Sequence, residues 1–442
     1  MFVSETELLG HGRRRLREHC LRIAAAALRA VDPGELVRRR VVRDGDWLLV
    51  GDEKYELTNR RVWVVGAGKA TIGMAAVLDE LLGDRIADGA VVVKRGQGRQ
   101  LRFIEVLEAS HPVPDEDSLK GGERLLEIVR RASADDLVLA LVTGGSSSLA
   151  VVPAPGVSLT DKVATNRVLL SSGADIHSMN DVRKHISCIK GGRLGAACGC
   201  PIVNLTVSDV VGNHLDYVTD LTVADRSTFA DAQAVCDAYS LWEQLPSTVG
   251  EWLRRADEAY ETAKSLPNVQ TLVVADPEMM CAAAAEEARL LGYEARVLTT
   301  DLQGEASDAG RWLVRELTAS PAPSALIAGG ENTVNLNGVR FGEVAGGPNQ
   351  EAALTAAIEM DGTVRESCIL CLDSDGTDGP TSAAGGLVDD LSAASARERE
   401  FDLAEALRQH RSADALTALG DLVVTGSTGT NVNDLKIALT SG

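Results

Sequence analysis

The chain has 442 residues, more than one ordinary core accommodates, so two domains are expected. Apolar residues make up 45% and aromatics only 3%, so Ala, Val, Leu and Gly fill the interior and favour packed α/β layers over a β-sandwich. A formal net charge of −20 argues against nucleic acid as a partner, yet leaves room for a small anionic substrate wherever Lys and Arg gather.

Residues 12–30 read as an amphipathic helix. The N-terminal stretch lacks the order of a signal peptide, and no segment reaches membrane-spanning length, so a cytoplasmic protein with no membrane contact is expected. "RRVVRDGDWLLV" predicts a hairpin turning at Asp44-Gly45. "RRVWVVGAGKATIGMAAVLDELL" is a strand, a glycine turn and a helix; "DGAVVVKRG" and "DDLVLALVTGG" are further strands, with a helix over 118–131 between them. Alternation continues through "CPIVNLTVSDVVG", the pattern of a doubly wound, mostly parallel sheet. Near 241–268 the chain turns polar, proline-marked and helical, which places the domain junction there: 1–245 and then 246–442. A second α/β series follows in "QTLVVAD", "EARVLTT", "SALIAGGENTVNL", "SCILCLDSDG" and "DLVVTGSTGTN"; "NLNGVRFGEVAGG" reads as a hairpin or loop before the helix "NQEAALTAAIEM". The eight cysteines are scattered; Cys368 and Cys371 fall on opposite faces of one strand, and buried free thiols are expected.

Several stretches could carry chemistry. Gly144, Gly145, Ser146, Ser147 and Ser148 follow a buried strand with no bulky side chain, which suits either a phosphate cradle or a tight turn. "VVGAGKATIGMAA" fails as a dinucleotide fingerprint, because Thr71 replaces the third glycine and the next strand ends in Lys94 and Arg95 rather than an acid; a 2′-phosphate stays open. Walker A fails on spacing. What remains is Lys69 at a helix start, placed to neutralise a phosphate or carboxylate or else to line a turn.

"KHISCIKGGRLGAA" gathers Arg183, Lys184, Lys190 and Arg193 around Gly191-Gly192, an anion pocket or a solvated basic face. Ser208 and Asp209 end a strong strand, where an acid can accept a hydroxyl proton, hold Mg²⁺ or cap a helix. Asp373, Asp375 and Asp378 do not match a calcium loop and fit a nucleotide–metal site better. Thr425, Gly426 and Thr428 repeat the small, hydroxyl-rich theme after a later strand. Together these loops supply what phosphoryl transfer requires: backbone cradles, cations and acids.

With these residues in place, the sequence resembles the type-2 glycerate kinases, with a Rossmann-like N-terminal domain and a C-terminal MOFRL domain. The resemblance rests on "GAGKA", "HPVPD", "GGSSSL", "SSGADIHSMNDVRKHISCIKGGRL", "SDVVG", "GGENTVN", "NQEAAL", "DGTDGPTSAAGG" and "TGSTGTNVNDL", in the family's order along nearly the whole chain. It implies ATP-dependent phosphorylation of D-glycerate at its 2-hydroxyl in an interdomain cleft, with Lys69 and Asp209 in the active site. The expected assignments are then Gly144–Ser148, Lys190, Gly191, Gly192, Thr425, Gly426 and Thr428 for nucleotide, Arg183, Arg193, Glu331 and Asn349 for substrate, and Asp375 and Asp378 for Mg²⁺. A monomer or homodimer is expected.

Three departures stand out. The first loop carries Ser146-Ser147-Ser148 instead of Gly-Ser-Ala, acidic Asp220 lies in a shortened segment after Ser208-Asp209, and Pro348 replaces the family arginine before Asn349. Proline offers neither charge nor N–H. Four readings therefore remain: a glycerate 2-kinase clamping substrate through Arg183, Arg193 or Arg340, a kinase for another hydroxy or sugar acid, a catalytically weak binding paralogue, and an NADP oxidoreductase.

Overall fold

Strand after strand in the first half is apolar on both faces, and such runs pair in parallel with helices laid over each side. The computed structural model describes residues 1–208, 220–336, 338, 342, 344–363 and 365–442. It divides into one unit of residues Pro33–Val274 and another made of Met1–Asp32 with Ala275–Gly442.

The Pro33–Val274 unit begins with an antiparallel three-stranded sheet of β1 (Val41–Asp44), β2 (Trp47–Val50) and β3 (Glu53–Glu56). Gly45, at φ +59°, makes the first turn, as the Asp44-Gly45 pair predicts. The main sheet contains β4 (Val62–Ala67), β5 (Ile86–Lys94), β6 (Glu105–Ala109), β7 (Leu137–Val142), β8 (Ile202–Val207) and β9 (Val269–Ala275), in the order β6-β5-β4-β7-β8-β9. The pairings from β6 through β8 are all parallel. Trp63, Val65 and Ala67 of β4 pack on Leu125, Leu126, Ile128 and Val129 of the helix Glu116–Arg131. Asp115 caps that helix reciprocally with Ser118.

The expected junction at 241–268 is an interior element of this unit. Val249, Trp252 and Leu253 of the helix Ser247–Arg255 pack with Leu169, Val182 and Phe229, and Trp252 Nε1 donates to the His185 carbonyl at 2.7 Å. "QTLVVAD" likewise closes the first sheet as β9 rather than opening the second series.

The other unit holds a mixed sheet of β10 (Glu294–Leu302), β11 (Ser324–Gly330), β12 (Ser367–Asp373), β13 (Gly385–Asp389), β14 (Leu422–Val423) and β15 (Asp434–Thr440). Its order is β10-β11-β15-β12-β13-β14; only β10 and β11 pair in parallel. Helices Ala306–Ala319 and Pro348–Glu359 cover one face through Leu313, Leu317, Ala352 and Ala356, which meet Ile369, Cys371 and Ala438. The N-terminal helix Arg14–Ala30 packs on β12, β15 and the helix Pro277–Leu290. Arg17, fully buried, holds it there through Asp389 and Asp421. The units therefore depart from the expected 1–245 and 246–442 division at both ends: the first helix completes the C-terminal sheet, and the N-terminal sheet runs on to β9.

All eight cysteines are free thiols. Cys371 joins the Ala352–Ala356 side of β12 while Cys368 lies against Cys20 of the N-terminal helix, as strand alternation requires. Among the described residues no helix is long and apolar enough to cross a membrane.

Candidate functional site

In the parallel sheet the chain builds outward from β4 to β5 and β6, then returns to place β7 on the other side of β4. Connections diverge at such a reversal, so the carboxyl ends of β4 and β7 open a crevice where α/β sheets take ligands. The two loops leaving that crevice carry Lys69 and Gly144–Ser148.

Backbone bonds join these loops. Lys69 N–H donates to Gly144 O at 2.9 Å, Thr143 N–H to Ala67 O at 3.1 Å, and Ala70 N–H to Thr143 Oγ1 at 3.1 Å. Gly68 is obligatory: a Cβ there would lie 2.0 Å from Thr143 Oγ1. Gly145 has φ +87°, and a Cβ on it would meet His111 Nε2 at 3.1 Å and Lys69 Cγ at 3.2 Å. Lys69 and His111 thus flank the glycine from two loops. Ser146–Leu149 then forms a single helical turn, with Ser148 Oγ donating to Gly145 O at 3.2 Å. His111, from the "HPVPD" loop after β6, is the residue that sequence reasoning left unassigned.

Lys190 lies beside this cradle, buried, with its Nζ donating to the Ser147 carbonyl. Burial pushes its pKa well below the lysine norm, and Lys162 and Arg183 add to the effect. The neighbouring glycines serve packing: Gly191 and Gly192 have φ +61° and +74°, and side chains on them would strike Thr262 Cγ2 at 2.8 Å and Val223 O at 2.7 Å. That close approach to protein requires glycine at both positions whether or not a ligand is bound. Arg193 is also committed inward. Its guanidinium donates to the carbonyls of Lys184 at 2.6 Å, Ser187 at 2.8 Å and Tyr260, so it braces a turn and does not fit a substrate clamp. Lys184 pairs with Asp225 at 2.6 Å. Arg183, half-buried, donates to Asn166 and Asn180 side-chain oxygens at 3.2 Å each and meets no carboxylate among the described residues.

Asp209 and Arg340 lie outside the described residues. Ser208 is buried just beyond β8. Asp220 folds its carboxylate back onto Thr222 N–H at 2.6 Å and Val223 N–H at 3.1 Å. Burial raises its pKa, and its partners are those of a turn former.

In the second unit the acidic loop after β12 packs against the Thr425–Asn433 loop. Thr428 Oγ1 donates to Ser374 O, and a Cβ on Gly376, at φ +92°, would sit 2.0 Å from Gly426 O. Thr425 Oγ1 bonds Gly426 O at 2.7 Å. Asp375 Oδ1 accepts from Thr377 N–H at 2.8 Å and Thr377 Oγ1 at 2.7 Å. Glu331, just beyond β11, is exposed.

Asp378 is different. Its carboxylate accepts the N–H groups of Asn349 at 3.1 Å and Gln350 at 2.8 Å, closing the start of the helix Pro348–Glu359. Asn349 Nδ2 continues the network to Asp434 Oδ1 at 2.7 Å, and Lys436 Nζ bonds Asp434 Oδ2 at 2.9 Å. Asn349 is thus a buried structural link with both ends of its amide in use, which corrects its substrate-binding assignment.

The implied Mg²⁺ can be tested against these acids. Asp378 does not fit, because its oxygens already satisfy a helix start and burial raises its pKa to about 7, disfavouring the charged form a metal needs. Asp375, oriented by Thr377, fits a hard cation that takes one carboxylate and substrate oxygens. Among the described residues no three His, Cys, Asp or Glu groups converge as a ligand set.

The Asp378 shift has a direct consequence. An unfolded aspartate titrates near 3.8, so the folded state holds the extra proton between about pH 4 and pH 7. Stability from this group is present at low pH and is lost as pH rises through about 7. Urea midpoints of wild type and Asp378→Asn across this range should show a steeper fall with rising pH in the wild type. Equal slopes would remove Asp378 as the source.

Pro348, where the resemblance implies arginine, occupies the first position of its helix, where a missing N–H costs nothing. Proline suits this helix start but brings no charge to it.

Comparison with known proteins adds to this geometry. Residues 19–254 match a family model described as a domain of unknown function, DUF4147, and residues 324–434 match the MOFRL family. A glycerate 2-kinase of Pyrococcus horikoshii is 40% identical over 435 residues, covering 96% of this chain and 97% of its own. A D-glycerate 2-kinase of Thermotoga maritima is 40% identical over 390 residues, covering 86% of this chain and 90% of its own. A crystal structure of glycerate kinase from Thermotoga maritima superposes with a TM-score of 0.83 at 36% identity, covering 96% of this chain and 99% of that one. Likeness of this extent, running through both units, places the chain in the glycerate 2-kinase family and makes it a small-molecule kinase.

Proposed function

We propose that this enzyme transfers the γ-phosphoryl group of ATP to the 2-hydroxyl of D-glycerate. The observation that carries the reading is the sheet reversal at β4 and β7, where Lys69 and the Gly144–Ser148 loop leave adjacent strand ends. Lys69 is assigned the charge developing on the transferring phosphoryl group, and the Gly144–Ser148 backbone and hydroxyls the phosphate oxygens. Lys190 braces that loop from behind through the Ser147 carbonyl. Asp209 takes the proton of the substrate hydroxyl as its oxygen bonds to phosphorus and ADP leaves. Arg183 is the candidate for the substrate carboxylate, since it meets no acid among the described residues. Glu331, Thr425, Gly426 and Thr428 remain assigned to substrate and nucleotide as the family resemblance implies. Asp375 would hold Mg²⁺, which supplies charge neutralisation at the phosphates.

Pro348 favours a second reading, a kinase for a different small hydroxy acid, because the position lacks the charge that a carboxylate clamp needs. A panel of D-glycerate, L-glycerate, glycolate and sugar acids with ATP, read as ADP release and phosphorylated product, separates the two. The expected result is the highest kcat/KM on D-glycerate with 2-phosphoglycerate formed. A tenfold preference for another acid would replace the substrate. Mg-ATP should raise the Tm by binding the folded state alone, and NADPH should not. Stabilisation by NADPH without any by ATP would overturn the kinase reading.

A further inference from the structure

Lys162 belongs to no motif, yet it is one of the most enclosed side chains in the protein, 1% exposed on the helix Leu159–Ser171. Its Nζ donates to the Ile186 carbonyl at 3.2 Å. Four residues on, Lys190 is 3% exposed and reaches the Ser147 carbonyl. The segment between them is pinned beside the serine loop, with Cys188 N–H bonded to Val152 O at 2.8 Å and a bridge from Pro153 to Ser187. Lys162, Arg183 and Lys190 each lie within electrostatic reach of another member of the trio.

Among the described residues no acid answers them. Asp161 on the same helix accepts from Ser158 and Thr248. From the helix Ile176–His185, Lys184 takes Asp181 and Asp225, and His185 takes Glu261. On the helix Ser247–Arg255, Glu251 is exposed, while Arg254 and Arg255 stack over Trp242 and Trp252. Arg193 faces Lys162 as a further cation, spent on backbone carbonyls, and Cys188 donates to Pro153 O at 3.2 Å. Uncompensated buried charge is costly, so the two lysines beside Arg183 either stay neutral or are completed by an anion. Ser147 and Arg183 keep partial exposure, which leaves a way in.

We propose that Lys162, Arg183 and Lys190 bind one oxyanion group, a carboxylate or a phosphate, and that the anion enters together with a proton taken up by Lys162. In the free protein, burial and the neighbouring arginines lower Lys162 to about 7, so near pH 8 it is mostly neutral. A bound anion restores the charged form. Lys162 then acts as a positioning residue whose charge follows occupancy. The binding claim does not require turnover and so goes beyond the kinase reading.

The test is calorimetric titration of the full-length protein at pH 8 in two buffers of different ionisation enthalpy. The probes are D-glycerate, ATP and sulfate, the last an oxyanion with no proton to exchange there. The expected result is binding of at least one probe with uptake of about one proton. Glycerate alone would identify a carboxylate subsite; ATP or sulfate would identify a phosphate subsite. Lys162→Met should weaken that binding at least tenfold and abolish the uptake. Lys162→Arg, permanently charged, should keep the affinity and lose the uptake. Wild-type binding without uptake, no binding of any probe, or variants that behave as wild type would overturn the proposal. So would a Lys162→Arg protein that loses uptake and affinity alike. Turnover of glycerate with no proton uptake would defeat this inference while leaving the kinase reading intact. Sulfate binding with uptake but no phosphorylation of any acid would do the reverse.

Discussion

Lys69→Ala should lower kcat by about 10²–10³-fold while leaving stability within about 0.5 kcal/mol of wild type. The asymmetry follows from where the residue's two ends are engaged. Its backbone N–H bonds Gly144 O, and that bond survives truncation to alanine. The half-buried side chain passes over Gly145 beside His111, where no bulky residue could sit. A cation aimed at developing charge contributes most in the transition state, so the loss should fall on kcat more than on KM. The matching measurement is steady-state kinetics on purified wild type and Lys69→Ala, with thermal unfolding of both. A variant with full turnover would reduce Lys69 to a turn residue and would move the phosphoryl-binding assignment elsewhere on the sheet edge.

The largest loss of stability is expected from Arg17→Met. Arg17 is fully buried, and its guanidinium meets Asp389 and Asp421 as well as the Leu8 carbonyl at 3.3 Å. Asp389 also accepts from Arg13 N–H at 2.8 Å, and Asp421 from Ser392 Oγ at 2.9 Å. Removing the cation leaves two buried carboxylates facing each other's field, a loss of about 3–5 kcal/mol for a broken buried pair. Arg22→Met provides the contrast. It lies on the same helix with an ion pair to Glu287, but its side chain is 58% exposed, so solvent screens the pair and little should change. Denaturant unfolding of the two variants should differ several-fold in effect. Equal losses would show that the helix is held by apolar packing alone.

The legibility of this chain followed the range over which each signal acts. The parallel strands could be read because burial on both faces writes unbroken apolar runs such as "LVLALV" and "VWVVGA". The central strand β15 escaped because Lys436 interrupts "DLKIALT"; a lysine in a strand reads as surface until Asp434 and Asn349 are seen to satisfy it. β9 was placed in the wrong series for a similar reason, since nothing local says which sheet a strand will join. At the candidate site, composition singles out the glycine-rich loops and Lys69 as proposals, and the fold puts both at neighbouring strand ends. Asp378 and Asn349 stand out equally, for a reason that the structure does not bear out. Both sit in segments that look ligand-binding, and only a partner 29 residues from Asn349 reveals that they close a helix instead. Lys162 gives no signal in the sequence, because its meaning lies in the carboxylates that, among the described residues, fail to reach it.

The N-terminal helix has a consequence for how the chain is made. Leu21, Ile23, Ala24 and Leu28 are buried in a unit whose remaining strands begin beyond Ala275. On the ribosome the Pro33–Val274 segment emerges complete while that helix is still without its sheet. The first unit can therefore finish folding around an apolar helix waiting at its leading end, and the second closes only after translation passes β15. Such a helix is a natural client for a holdase in the interval. A fragment expressed from Ala275 onward would likewise expose the groove the helix fills, so its solubility should depend on adding residues 1–32 back in trans.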